Sequence, residues 1–262
     1  PVPGPSAIAA QGGKFRSLPG QPGYVVPTPI EDPWDIVNEF RNAAKLAKKA
    51  GFDGVELQSG NGSLIHQFLD YSANEREDQW GGSVGNRCRL GLECMRALIE
   101  VWGPARVGIK LSPCAGYNDV GMPLPDTIMT FTYYITQLAS MKPAYVQLLR
   151  YVPFLDAPVE SSSDKVFKRG VPHDVLAYDS KNPSPTRVFI NGGLNLDEAE
   201  KLISDGVVDA AVFGCLWLAN PDLQKRVEKR VPLNGNLDFR TFYDTVDNDP
   251  RTGYSDYPEA NP

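Results

Sequence analysis

Residues 51–61 read Gly51-Phe52-Asp53-Gly54-Val55-Glu56-Leu57-Gln58-Ser59-Gly60-Asn61. Gly51 closes a helical pattern, and Val55 to Leu57 is a short apolar run bounded by glycines, which reads as a strand. Upstream, Asp32 offers an N-cap, with Pro33 at the first helical position and Asp35 at the third. Ile36, Val37, Phe40, Ala43, Ala44 and Ala47 then fall on one helical face. A helix leading through glycine into a short strand is the unit against which the rest of the chain is read.

The unit recurs. Leu92, Met95, Ile99 and Trp102 mark one side of a helix over 83–102, closed by Gly103-Pro104, and Val107 to Leu111 is the next strand. Ile128, Phe131, Ile135 and Leu138 mark another helix, and Tyr145 to Leu149 another strand. A polar excursion over roughly 150–185 carries a helical piece near Val175. Arg187 to Ile190 is a strand, after which Asn195 caps a helix and Glu198 completes a capping box. Ala210 to Phe213 is the last strand, and Asn220-Pro221 opens a helix through Arg230. Residues 1–31 and the tail after Leu233 read as loop.

Five strands in such alternation imply a parallel sheet covered by helices. The expected fold is α/β, a (β/α)8 TIM-type barrel, incomplete, with strands four to eight present and strands one to three missing. One domain over 1–262 would hold it, and an open doubly wound sheet is the alternative. Two bare sheet edges would remain, to be covered by a missing segment, by a second chain in a homo-oligomer, or by a rearranged sheet.

Composition narrows the function classes. The 262 residues are 42% apolar and 22% charged, which fits a globular enzyme-sized domain. Acidic residues outnumber basic ones 32 to 26, and the basic ones form no stripe, so neither nucleic acid nor an anionic membrane is an expected partner. No apolar run reaches the roughly 20 residues that span a bilayer. Pro1 to Pro5 lacks the basic and apolar regions of a signal peptide, although Pro1 cannot itself be an initiator residue. Cys88, Cys94, Cys114 and Cys215 form no C-x-x-C pair, and the only histidines are His66 and His173. A zinc site is not expected, and free thiols in a reducing cytoplasm are.

Barrel chemistry sits at the C-terminal ends of the strands. Those ends are Leu57 to Asn61, Ile109 to Ser112, Leu149-Arg150, Ile190 to Gly193 and Phe213 to Cys215. The last two are glycine-bearing turns, expected side by side, whose backbone N–H groups an anion could approach closely. Ordinary strand–helix turns are the competing reading.

Several motifs carry a resemblance. The run from Gly51 to Leu57, Asn61-Gly62, Gln67-Phe68-Leu69, Asn74-x-Arg76-x-Asp78, Gly81-Gly82-Ser83 and Asn86-Arg87 resembles the signature of the old yellow enzyme family. So do Arg106 to Pro113, Asn220 to Leu223 and the closing Gly253-Tyr254-x-Asp256-Tyr257-Pro258. The details are most similar to fungal members. The resemblance implies an FMN-bearing barrel that oxidises NAD(P)H and passes hydride to an activated C=C bond. The implied substrate is a small molecule with an activated alkene or carbonyl. A His/His or His/Asn pair in the family grips the substrate carbonyl, and a nearby Tyr donates the proton.

Residue by residue, the resemblance places Asn61 on the second member of that pair. Gln58 stands where the first histidine belongs; its amide can donate a hydrogen bond but cannot become a cation. Ser63 stands where the proton-donating Tyr belongs and is a far weaker acid. Lys110 falls on the basic residue beside the flavin's pyrimidine edge. Gly192, Gly193 and Gly214 fall on the phosphate turns, and Cys215 replaces a phosphate-binding Arg. Tyr243 corresponds to a tyrosine at the substrate mouth. His66 reads as a packing or surface residue, Cys114 as an inert thiol, and the Arg76, Asp78, Asn86 and Arg87 cluster as a loop brace.

With the eroded site, two further functions stay open. One is a flavin-free isomerase or cyclase that activates a carbonyl through Gln58, Asn61 and Ser63. The other is a non-catalytic homologue that associates through its open sheet edges.

Overall fold

The computed structural model describes residues 2–10, 24–153, 170–178, 186–238, 241 and 249–260. The chain divides into two compact units. The first comprises Pro1–Gly13 and Tyr24–Ala211, the second Lys14–Gly23 and Val212–Pro262.

The first unit opens with two-residue strands, β1 (Pro3–Gly4) and β2 (Thr28–Pro29), paired in parallel inside a stretch expected to be loop. Helix α1 (Pro33–Lys49) starts where its signals predict, the Asp32 side chain accepting the Trp34 N–H at 2.9 Å. Strand β3 (Val55–Ser59) follows, then α2 (Leu64–Leu69) and α3 (Val84–Trp102), the last capped by Ser83. Next come β4 (Val107–Leu111), α4 (Leu124–Met141), β5 (Tyr145–Leu149) and β6 (Arg187–Asn191). A 3-10 turn, Val175–Tyr178, occupies the helical piece expected near Val175. Helix α5 (Leu196–Ser204) and β7 (Ala210–Val212) complete the repeat.

The five strands β3 to β7 lie in chain order in one sheet, and the pairs from β3 to β6 are parallel. Among the described residues β3 pairs with β4 alone, and the sheet does not close. The fold is thus of the (β/α)8 barrel type, represented by an arc of consecutive strands.

Strand alternation gives this sheet two unlike faces. One carries Leu57, Ile109, Leu111, Leu148 and Ile190, all at most 1% exposed. Each such burial contributes about 1.5–3 kcal/mol. Helices α3 and α4 pack together behind it, and the phenol of Tyr134 reaches Ser59 Oγ at 3.3 Å, so neither buried hydroxyl lacks a partner. The other face carries Glu56, Gln58, Lys110 and Gln147.

Two local readings need correction. Glu198 does not complete a capping box: its N–H donates to Asn195 Oδ1 at 2.8 Å, but its carboxylate turns away to Arg150. A two-point bond to a guanidinium outcompetes one bond to a backbone N–H. Asn220 does not open a helix. It follows a short helix, α6 (Cys215–Ala219), and the next, α7 (Leu223–Lys229), begins after Asp222. Fully buried, Asn220 donates to Leu216 and Asn234 carbonyls and accepts the Asn234 N–H at 2.7 Å, tying down the returning chain. No helix among the described residues is long and apolar enough to cross a membrane.

Candidate active site

The register sets the first row of the site. Gln58 pairs with Lys110, Lys110 with Gln147 and Gln147 with Phe189, so these side chains share the open face of the sheet. Gln58 is exposed at the edge, whereas Gln147, towards the centre, is only 4% exposed. Below them Tyr145 stacks on Phe189 at 4.3 Å and lies over Gly108 of β4, with the Glu56 carboxylate close enough to influence its phenol. A Cβ at Gly108 would meet the Tyr145 ring at 2.2 Å, so this layer needs glycine there. Burial and the Glu56 carboxylate push the Tyr145 phenol above its usual range.

The turn after β3 holds Asn61 in the left-handed region at φ 55°. Asn tolerates that conformation better than most residues. Ser112 Oγ accepts the Asn61 N–H at 2.6 Å, and the Asn61 carbonyl accepts from Asn118 Nδ2 at 2.9 Å. Gly62 follows at φ 65°, where a Cβ would meet Asn118 Cβ at 2.6 Å. Beneath the turn, His66 Nδ1 accepts the Gly62 N–H at 3.2 Å. Burial lowers the His66 pKa to about 4, against the opposing pull of Asp70, so the ring is neutral and fit to accept. His66 therefore braces the turn.

These contacts fix the Asn61 backbone and leave its side chain uncommitted. Asn61 Oδ1 is buried with no hydrogen-bond partner, a cost of about 1–3 kcal/mol that a ligand could relieve. Either end of an amide without protein partners can be presented to that ligand. Ser63 differs, because its hydroxyl donates to the Gln58 carbonyl at 3.2 Å.

At the far end of the sheet Gly192 and Gly193 take φ 104° and 63°. A Cβ on Gly192 would meet Leu149 and Val152 side chains at 2.9 and 3.0 Å, while nothing lies within 4 Å of one on Gly193. Arg150 pairs with Glu198 at 2.6 Å and donates from Nε to the Gly192 carbonyl at 3.0 Å. In the second unit, Gly214 is equally open and Cys215 is a half-buried free thiol. Tyr243 lies outside the described residues.

Cys114, also on the strand-end side, sits 3.3 Å from His173 Nδ1. Burial pushes its thiol up, which keeps it protonated and unreactive.

Residues 29–234 match the NADH:flavin oxidoreductase / NADH oxidase family. The chain belongs to the old yellow enzyme family. Among its relatives, 12-oxophytodienoate reductase 1 of Oryza sativa subsp. japonica is 38% identical over 223 residues, covering 85% of this chain and 54% of the rice protein. A probable flavin mononucleotide-dependent alkene reductase of Leishmania infantum is 35% identical over 260 residues, 97% of this chain and 65% of that protein. In three dimensions the chain is similar to the old yellow enzyme homologue from Zymomonas mobilis, with TM-score 0.81 and 27% identity over 98% of this chain and 68% of the other. Morphinone reductase in complex with tetrahydroNAD gives 0.79 and 30%, over 99% and 66%. The chain thus spans about half the length of that rice protein.

Within this old yellow enzyme homologue, three polar side chains of the first unit could hold a flavin. Lys110 is a cation with no acidic partner among the described residues, and the Gln58 and Gln147 amides beside it are unpaired there too. Together they match the acceptors and donor of a pyrimidine edge. Sequence reasoning missed Gln147, although it holds the same strand position as Gln58 and Lys110. It also left unassigned Arg150, whose partner lies in another repeat.

Proposed function

We propose that the chain carries the active-site face of an FMN-dependent NAD(P)H oxidoreductase that reduces activated C=C bonds of small molecules. The observation that supports this most is the unpaired Gln58–Lys110–Gln147 row beside the orphaned Asn61 Oδ1. Of this row Gln147 is buried and Lys110 half-buried, and a polar planar ligand would satisfy the three groups together.

When bound, FMN supplies the hydride chemistry between NAD(P)H and substrate. Lys110, Gln58 and Gln147 would hold its polar edge, and the open Gly193 turn would meet its phosphate. Asn61 amide, with Gln58, donates to the substrate carbonyl oxygen and stabilises charge that gathers there. Both donors are neutral, so the stabilisation is weaker than an imidazolium gives. Ser63 can act as proton donor only after leaving the Gln58 carbonyl; otherwise water on the open face delivers the proton.

The test is NADPH oxidation by purified protein with added FMN and 2-cyclohexenone, with cyclohexanone measured as product. Product formation that requires both FMN and protein supports the reading. Stoichiometric flavin binding without any NAD(P)H oxidation would remove the redox function.

A further inference from the structure

Arg150 follows β5 and makes two bonds to the end of β6 and the turn after it. Its backbone N–H donates to the Asn191 carbonyl at 2.9 Å, and its Nε donates to the Gly192 carbonyl at 3.0 Å. Peptide groups are planar and trans, so each carbonyl points opposite to the N–H of the same unit. The Asn191 carbonyl shares its unit with the Gly192 N–H, and the Gly192 carbonyl with the Gly193 N–H. Both N–H groups therefore aim away from Arg150, and neither has a partner among the described residues. Two successive free N–H groups in a positive-φ turn form an anion-binding concavity.

The guanidinium is held from behind. Nη1 and Nη2 bond to Glu198 Oε1 and Oε2 at 2.6 and 3.2 Å, so the charge is matched by a carboxylate and the fork is fixed. The Arg150 bond in turn draws the Glu198 carboxyl below its usual range, so the pair stays ionised near neutrality. Its charge is spent on Glu198, which leaves orientation as its contribution to the turn.

We propose that Arg150, latched by Glu198, is a positioning residue that presets the Gly192 and Gly193 N–H groups to receive a phosphate oxygen of the flavin, a role resting on the FMN reading above. With Cys at 215 in place of the family's arginine, oriented backbone dipoles rather than a free side-chain charge would read the phosphate here.

FMN and riboflavin differ by that phosphate alone, so their affinities are compared by flavin fluorescence quenching in wild type and Arg150→Met. The expected result is a Kd for FMN raised about tenfold or more, with riboflavin changed less than about twofold. Arg150→Lys is expected to follow Arg150→Met, because an ammonium cannot hold both Gly192 and the two Glu198 oxygens. Equal losses for both flavins, or no loss for either, would overturn the proposal. A second measurement uses glycine-selective 15N labelling of wild type with inorganic phosphate as probe. Gly192 and Gly193 amide signals should shift on titration. An absence of response overturns the proposal even where flavin binds, whereas a response in a protein that binds neither flavin removes the FMN reading and leaves an anion-binding turn.

Discussion

The two faces of the sheet are made by the same four strands and differ in what specifies them. Behind the sheet, Leu57, Ile109, Leu111, Leu148 and Ile190 are packed to exclusion of water. In front, at the neighbouring positions, stand Gln58, Lys110 and Gln147, whose polar groups have no partners among the described residues. A chain selected for stability alone would fill both faces of a parallel sheet with aliphatic side chains. The back face thus holds the fold, and the front face carries the polar groups that are proposed to meet a ligand.

The strongest way to break that contrast is to truncate one residue on each side. Leu148→Ala should cost about 2–5 kcal/mol by urea unfolding. Its neighbour Gln147→Leu, which removes a buried amide without a partner among the described residues, should leave stability unchanged or raise it. Equal costs would mean that the front face is also a structural core.

A second effect, on the order of 3 kcal/mol, concerns the brace under the Asn61 turn. The folded His66 pKa, about 4, lies below its ordinary 6.5, so the native state resists protonation. The stabilisation is complete above pH 6.5 and is lost as pH falls towards about 4. His66→Gln should flatten that part of the stability–pH curve; an unchanged slope would mean that His66 does not hold the turn.

On the front face, Lys110→Met should weaken FMN binding by about 1.5–3 kcal/mol, roughly tenfold to a hundredfold in Kd, with little change in unfolding midpoint. A stability loss without an affinity loss would reassign Lys110 to the fold. The smallest effect is at Asn61. Asn61→Ala should cost about 1 kcal/mol of stability, since Ala resists the left-handed region, whereas Asn61→Gly should not. Both should depress enone reduction.

What the sequence revealed follows the same divide. Helix starts at Asp32, Ser83 and Asn195 were legible because a cap bonds within its own turn. The strands showed as apolar runs because their back face must be dry. Glu198 was misread because its partner Arg150 lies 48 residues away, in a different strand–helix repeat, while the capping signature is local. Asn220 failed likewise: Asn-Pro looks like a helix start, but its amide pairs with Asn234, 14 residues on. The β1–β2 pairing escaped notice because two-residue strands of proline and glycine carry no periodicity. In the proposed site, resemblance pointed to Gln58, Asn61 and Lys110. Only strand register showed that Gln147 joins them, and only geometry showed that the Ser63 hydroxyl is engaged.

The most direct measurement is an FMN titration of wild type beside Gln58→Leu/Gln147→Leu, followed by quenching of flavin fluorescence. Wild type should saturate at one flavin per chain, and the double variant should bind far more weakly while unfolding at the same or a higher urea midpoint. Equal binding by the two proteins, or no binding by wild type, would contradict the assignment of the polar face to the flavin.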